Sequence, residues 1–138
     1  MSSHPRTDPL RILFVEDNAL VRESTEELLQ QPGRDICVCA TAEEALEVLR
    51  DRPIDLVITD VSLPVMSGVE LAKQILSASP QAAIIIASGY RMEAITDALG
   101  PNVRAIMKPI MSQDIDALID ALTADPGRIA TVQTTGVR

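Results

Sequence analysis

Five residues with reactive or ion-binding side chains each lie at, or just after, the end of a short apolar segment: Glu16, Asp17, Asp60, Ser88 and Lys108. Carboxylates brought together raise one another's pKa values unless a cation joins them, and Mg²⁺ prefers carboxylate, water and phosphate oxygens. A lysine ammonium can bind a phosphate oxygen, and a serine hydroxyl can donate to another. A carboxylate nucleophile beside a metal, an ammonium and a hydroxyl could therefore form an aspartyl phosphate.

The segments between these residues predict the elements that must position them. Short apolar runs alternate with segments of helical period, which is typical of a parallel sheet built from βα units. The predicted strands are residues 11–15, 36–39, 56–59, 83–87 and 103–107. The predicted helices are residues 18–30, residues 92–99 and three more that begin near Thr41, Ser67 and Ser112. The fold class is therefore α/β, with a doubly wound five-stranded parallel sheet, in which ligands bind outside the carboxyl ends of the strands.

Local signals predict how three of these helices begin. The segments 41–44 and 67–70 both match the capping-box pattern, in which the first and last residues exchange side-chain and backbone hydrogen bonds. Ser112 is suited to cap the last helix.

The βα units fill residues 10–124 and form one domain. Residues 1–9 precede the first strand, and we expect them to be a flexible leader. Residues 125–138 are rich in Thr and Gly without any period, which predicts a disordered tail.

The composition excludes several classes of function. Acidic residues outnumber basic ones 20 to 12, and the net charge of −8 repels nucleic acid and anionic lipid. The longest apolar run, residues 82–87, is too short to span a bilayer, and residues 1–10 lack the apolar core of a signal peptide. We therefore expect a cytoplasmic protein that binds neither nucleic acid nor membranes directly.

Cys37 and Cys39 are separated by one residue in the second predicted strand, so their side chains point to the same face. The strand is too stiff to make a disulfide between them a good interpretation. Two thiols without a nearby histidine or further cysteines also make a poor zinc site. We expect both residues to be buried as small hydrophobic side chains.

Four stretches of the sequence resemble the response-regulator receiver domain, the phospho-accepting module of two-component signalling, in the right order along nearly the whole chain. They are residues 12–18, 55–70, 86–89 and the pair Lys108-Pro109. The resemblance implies the flavodoxin-like (βα)₅ receiver fold. It also implies that the Lys108–Pro109 bond is cis, and only an X-Pro bond adopts that form cheaply.

The resemblance also implies a role for each site residue. Asp60 is the phospho-acceptor, and Mg²⁺ is the cofactor. Asp17 would bind the metal directly, Glu16 more often through water, and the backbone carbonyl of Ser62 would complete the metal site. The phosphoryl group would be held by Ser88 and Lys108.

Two other α/β families are less similar to this sequence. A haloacid-dehalogenase-type phosphatase also uses an aspartate after an apolar strand, but a second aspartate is expected two residues later, where Ser62 stands. Flavodoxins carry a Ser/Thr/Gly phosphate loop after the first strand, and here residues 16–18 replace it with Glu, Asp and Asn.

The sequence departs from the receiver pattern at the residue that often reports phosphorylation. Many receivers carry an aromatic residue three positions before the final lysine, and this sequence has Ala105 there. Tyr90, two residues after Ser88, is the alternative switch candidate, either as a sensor of Ser88 or as a shield of the aspartyl phosphate; it could also merely cover the loop. Arg91 and Arg104 are expected near this face, where a partner could dock.

The sequence therefore predicts a signalling phospho-acceptor rather than an enzyme, limited to self-phosphorylation from small donors and autodephosphorylation. Its expected partners are a histidine kinase or histidine phosphotransfer protein and a downstream protein target, and a homodimer is possible. Because no DNA-binding output segment follows the βα units, we expect output through protein contacts, relay to another histidine-containing protein, or phosphate sequestration. Two alternatives stay open: a constitutive, phosphorylation-independent binding module, and the receiver portion of a hybrid histidine kinase.

Overall fold

The structure, a computed structural model, describes residues 9–123, in which five strands alternate with five helices. The strands are β1 (Leu10–Val15), β2 (Arg34–Cys39), β3 (Leu56–Asp60), β4 (Ala83–Ser88) and β5 (Val103–Met107). The helices are α1 (Ala19–Leu29), α2 (Ala42–Asp51), α3 (Gly68–Ala78), α4 (Glu93–Leu99) and α5 (Ser112–Thr123). The predicted leader, apart from Pro9, and the predicted tail lie outside the described residues.

The strands form one parallel sheet in the order β2-β1-β3-β4-β5. The chain first winds from β1 to β2 on one side and then continues with β3 on the other side of β1. The winding direction thus reverses between β1 and β3, and in open α/β sheets this reversal opens a crevice at the carboxyl ends of the two strands. The predicted doubly wound, flavodoxin-like fold is confirmed.

The sheet separates two apolar layers because successive residues of a strand point to opposite faces. Leu13 and Val57 belong to the layer under α2 and α3, whereas Phe14 and Ile58 belong to the layer under α1 and α5. Every residue of β3 and β4 is buried, as expected for interior strands of a parallel sheet. The core therefore holds the site-bearing strands rigidly from both sides.

The helix starts agree with the sequence in one case and differ in two. Ser67 and Glu70 form the predicted capping box. Thr41 caps α2, but the carboxylate of Glu44 accepts from the N–H of the preceding Ala40, which lies beyond the last paired residue of β2. In α5 the first helical hydrogen bonds go to the carbonyl of Met111, so Ser112 begins the helix instead of preceding it.

Within residues 9–123, no helix has the length and apolarity needed to cross a membrane.

Cys37 and Cys39 are free thiols that are half-buried, so the prediction that both are buried was wrong in degree. The reason is that β2 forms an edge of the sheet and is covered less completely than β3 or β4. Both side chains still pack against the layer under α2 and α3. The absence of a disulfide agrees with the sequence interpretation.

An ion pair joins β1 and β3 near the amino ends of the two strands. Asp55, which is 2% exposed, accepts hydrogen bonds from the backbone N–H of Arg11 at 2.9 Å and from its guanidinium Nε at 3.1 Å. A second guanidinium nitrogen of Arg11 reaches the other carboxylate oxygen at 3.3 Å. Such a two-point contact fixes geometry as well as charge.

Candidate functional site

The crevice between β1 and β3 contains three carboxylates. Glu16 and Asp17 directly follow β1, and Asp60 is the last residue of β3. Oxygen atoms of the three side chains lie within 4.8 Å of one another. Glu16 and Asp60 are 2% and 5% exposed, whereas Asp17 is open to solvent. The predicted acids are therefore brought together although Asp17 and Asp60 are 43 positions apart in the sequence.

Lys108, which follows β5, reaches into this acidic cluster. Its Nζ lies 3.3 Å from Oε1 of Glu16 and 3.3 Å from Oδ1 of Asp60. Burial by itself would lower the pKa of Lys108, but the charges of Asp60 and Glu16 outweigh it and raise that pKa above its ordinary value. The ammonium therefore stays charged and compensates two buried acids.

Glu16 is held at both oxygens of its carboxylate. One accepts from Lys108, and the other accepts from the backbone N–H of Asn18 at 3.1 Å. Burial raises the pKa of Glu16; the Asn18 hydrogen bond and Lys108 oppose this rise, and the charge of Asp60 adds to it. The net result is a carboxyl group whose pKa is above its ordinary value, because desolvation dominates.

Ser88 ends β4 and is 1% exposed. Its hydroxyl donates to the backbone carbonyl of Tyr90 and accepts from the backbone N–H of Tyr90 at 3.2 Å. The hydroxyl is thus engaged with the β4–α4 loop in this conformation. The side chain of Tyr90 is 60% exposed.

The remaining predicted positions lie within β5 or in the segments that follow β3, β4 and β5. Ala105 pairs with Ile86 across β4 and β5 and packs, half-buried, against the layer under α2 and α3. Ser62 is exposed in the loop after β3. The Lys108–Pro109 bond is cis, as the resemblance implied. Arg91 and Arg104 are both exposed, on the β4–α4 loop and on β5.

Three residues of the site region have structural features that sequence reasoning missed. Gly68 begins α3 so close to β3 that a Cβ atom there would lie 2.2 Å from the backbone oxygen of Asp60. Arg22 donates to backbone carbonyls of the loop that carries Glu16 and Asp17. Val65 adopts a φ of 68° in the loop after β3 and is 94% exposed. A glycine at a helix start was a possible signal for the first, but nothing in the residue types marked the other two.

The donor set suits a hard divalent cation. All three clustered side chains offer carboxylate oxygens, which Mg²⁺ and Ca²⁺ prefer, and no softer nitrogen or sulfur ligand belongs to the cluster. One lysine compensates part of the negative charge and leaves the cluster acidic. Two of the carboxylates are buried, so a cation there would relieve repulsion in a poorly solvated place. The residues present therefore fit Mg²⁺.

Comparison with known proteins agrees with this geometry. The family model of the response regulator receiver domain matches residues 12–120. The chain is 30% identical over 112 residues to the chemotaxis protein CheY of Thermotoga maritima, covering 78% of this chain and 93% of that protein. A crystal structure of a response regulator receiver protein from Pseudomonas putida aligns with a TM-score of 0.74 at 30% identity, covering 84% of this chain and 98% of that one.

A longer relative contains the same domain as a small part. The chain is 30% identical over 111 residues to the sensor protein TorS of Escherichia coli, covering 80% of this chain and 12% of TorS. The fold and the acidic crevice define an α/β domain whose clustered carboxylates could hold a divalent cation. The chain belongs to the response regulator receiver domain family and is a receiver domain of a two-component system.

Proposed function

We propose that this receiver domain accepts a phosphoryl group on the carboxylate of Asp60. The observation that carries the proposal is the position of Asp60, which lies buried at the end of β3 with the ammonium of Lys108 at 3.3 Å and two further carboxylates beside it. A buried, charge-compensated carboxylate at the carboxyl ends of parallel strands is suited to act as a nucleophile. Formation of an aspartyl phosphate is therefore the chemistry that this arrangement supports best.

The proposed donor is a phosphohistidine of a histidine kinase or histidine phosphotransfer protein. A carboxylate oxygen of Asp60 attacks phosphorus and forms the O–P bond while the P–N bond to the histidine breaks. The departing ring nitrogen takes a proton from solvent, so that neutral imidazole leaves. Lys108 neutralises charge on the phosphoryl oxygens, and Ser88 donates to one of them. Small donors such as acetyl phosphate would react in the same way, with acetate as the leaving group.

Glu16, Asp17 and Asp60, together with the backbone carbonyl of Ser62, are the proposed holders of Mg²⁺. When bound, Mg²⁺ supplies positive charge that stabilises the phosphoryl oxygens during transfer. The chain's own contribution is to hold the carboxylates of Glu16 and Asp60 together in the absence of a metal ion, through the ammonium of Lys108 and the Asn18 N–H.

The proposed switch couples Ser88 to the backbone of Tyr90. To reach a phosphoryl group on Asp60, the Ser88 hydroxyl has to release the carbonyl and N–H of Tyr90 that it now engages. Release frees the β4–α4 loop and moves Tyr90, while Ala105 has no ring with which to report the change. The altered surface then includes Arg91 and Arg104, and a downstream protein or a second copy of the chain binds there.

Intact mass tests this function directly. The chain is incubated with acetyl phosphate and Mg²⁺ beside an Asp60→Asn variant and a sample with EDTA. We expect one added phosphoryl group, about 80 Da by its atomic composition, in the wild type alone. No addition from acetyl phosphate or from a phosphorylated histidine kinase would overturn the proposal and favour a constitutive binding module. We further propose that the domain acts in the cytoplasm, where histidine-kinase donors would reach it, as a phosphoprotein rather than an enzyme.

A further inference from the structure

Arg22 lies in the first turn of α1 and contacts the loop that carries two of the site acids. Its Nη1 donates to the backbone carbonyl of Glu16 at 2.8 Å and lies 3.5 Å from the backbone carbonyl of Asp17. The side chain is half-buried. The reaction proposed above gives it no role.

The place of Arg22 is unfavourable for the helix itself. The N-terminus of a helix carries partial positive charge, so a cation in the first turn is disfavoured there. α1 has no acidic residue in its first turn that would compensate. The two carbonyl oxygens are the acceptors that the side chain finds instead, and we take these contacts as the reason for an arginine at this position.

The carbonyl of Glu16 needs such a donor. The pairing of β1 with β2 and with β3 ends at Val15, so the ladder supplies no partner for the carbonyl that follows. The N–H of the same residue donates to the carbonyl of Cys39 at 3.0 Å. A buried backbone carbonyl without a partner is costly, and Arg22 removes that cost while fixing the peptide on its other side.

Asp17 depends on this peptide for its position. Within residues 9–123 its carboxylate makes no hydrogen bond or ion pair, yet its oxygen lies within 4.8 Å of those of Glu16 and Asp60. We infer that Arg22 is a positioning residue of the divalent-cation site, which holds the backbone of Glu16 and Asp17 so that the carboxylate of Asp17 faces the cluster. The inference rests on the proposed function, which assigns Mg²⁺ to these acids.

Isothermal titration with Mg²⁺, without any phosphodonor, tests the inference on the unphosphorylated chain. Groups that orient metal ligands typically contribute 10- to 100-fold to affinity, so we expect Arg22→Met to weaken Mg²⁺ binding about tenfold. Arg22→Lys keeps the charge but loses the planar fork, and we expect a loss of about two- to fivefold. Arg50→Met is the control, because Arg50 is exposed in the last turn of α2, and should bind Mg²⁺ as the wild type does.

A purely electrostatic role predicts the opposite sign. Removing a cation from the loop that carries two of the acids would by itself tighten Mg²⁺ binding. Unchanged or tighter binding in Arg22→Met therefore overturns the inference, and if that variant does not fold, wild-type affinity in Arg22→Lys overturns it. Phosphorylation by acetyl phosphate gives a second readout: the half-saturating Mg²⁺ concentration should rise while the maximal rate stays within about twofold. A wild-type chain that binds no Mg²⁺ would overturn the cation site of the proposed function as well, whereas failure in the variants alone concerns only Arg22.

Discussion

Nζ of Lys108 lies 3.3 Å from Oε1 of Glu16, although the two residues are 92 positions apart in the chain. The same ammonium lies 3.3 Å from Oδ1 of Asp60. Among residues 9–123 it is the cation that lies within ion-pair distance of both buried acids. In the unphosphorylated site, the ammonium of Lys108 thus compensates the negative charges of the two acids. Removing this ammonium should change both the folding stability of the domain and the dependence of that stability on pH.

We expect Lys108→Met to destabilise the domain by about 1–3 kcal/mol at pH 7, since it leaves buried acids uncompensated and Lys108 is itself only partly buried. Burial already raises the pKa of Glu16 above its ordinary value, and loss of Lys108 would raise it further. A carboxyl group whose pKa is higher in the folded chain than in the unfolded chain, where it is near 4.5, contributes to folding stability at pH values below 4.5. That contribution is lost as the pH rises through the pKa of the folded chain. Urea unfolding in Mg²⁺-free buffer should therefore show the deficit of the variant growing from pH 4.5 to pH 7.

Lys73→Met is the matched control, because Lys73 is exposed on α3 and its loss changes net charge equally. Combining Lys108→Met with Asp60→Asn removes one of the acids and should recover part of the lost stability. A Lys108→Met variant whose deficit is the same at every pH would contradict the electrostatic explanation.

We expect Gly68→Ala to be destabilising by about 1–3 kcal/mol and to slow phosphorylation of Asp60. A Cβ atom on Gly68 would lie 2.2 Å from the backbone oxygen of Asp60, so the acceptor or the start of α3 must move. Gly89 is the control, since a Cβ atom there meets nothing within 4 Å, and Gly89→Ala should change stability by less than about 1 kcal/mol. Chemical unfolding and acetyl phosphate kinetics measure the two effects; equal behaviour of both variants would argue against the close approach.

Val65→Asn should stabilise the domain by about 1 kcal/mol. The φ of Val65 is 68°, a left-handed conformation that is costly for a β-branched residue and readily adopted by asparagine. Because the side chain is 94% exposed, little packing is lost. Val65→Ala also removes the exposed apolar group, but it lacks the amide with which asparagine bonds to the local backbone in the left-handed conformation, so it should gain less. A comparison of the two urea midpoints therefore separates backbone strain from loss of an exposed apolar group.

Phosphorylation should release the backbone N–H of Tyr90, which donates to Ser88 at 3.2 Å in the present conformation. We expect faster amide hydrogen exchange of Tyr90 after beryllofluoride, a phosphoryl mimic, is added with Mg²⁺. Ser88→Ala removes the acceptor, so its Tyr90 amide should exchange rapidly in both states. Unchanged protection of this amide in the wild type would count against the proposed switch.

Cys39 should react slowly with thiol reagents. Burial, with a contribution from the charge of Glu44, raises the pKa of Cys39 to about 12 from 9.0. The thiolate fraction at pH 8 is then about a thousandfold lower than for an ordinary thiol, and the thiolate is the reactive form. In a Cys37→Ser variant, labelling of the folded chain should be slow and should become fast in guanidinium chloride; fast labelling of the folded chain would contradict this.

Much of the fold could be predicted because it depends on the periodicity of apolar residues and on the residues that begin and end helices and strands. The apolar runs of β3 and β4 indicate interior strands whichever partners they have, and the predicted strand ends agree with the structure within two residues. The position of Ser112 at the start of α5 and the bond from Ala40 to Glu44 could not be predicted, since each depends on backbone geometry that the residue type leaves open.

The site was predictable to the extent that the carboxyl ends of parallel strands meet at one edge. That rule predicts that Asp17 and Asp60 lie close together, and it can be applied without any measured distance. The contacts of Arg22 and the close approach of Gly68 depend on the path of two loops in three dimensions, and the φ of Val65 runs against the preference of its residue type. Around the site, the contacts of Arg22 and Gly68 that sequence reasoning missed are therefore contacts to the backbone.

The ion pair between Arg11 and Asp55 has a consequence for the opposite end of the same two strands. If β3 slid along β1 by one residue, Thr59 would take the place of Asp60 and the carboxylate would turn to the other face of the sheet. Because Arg11 binds Asp55 through both its backbone N–H and its guanidinium, such a slip would break the salt bridge at the start of β3. The alignment of the acceptor with Asp17 is thus secured five residues before the acceptor itself, by a pair that takes no part in the chemistry.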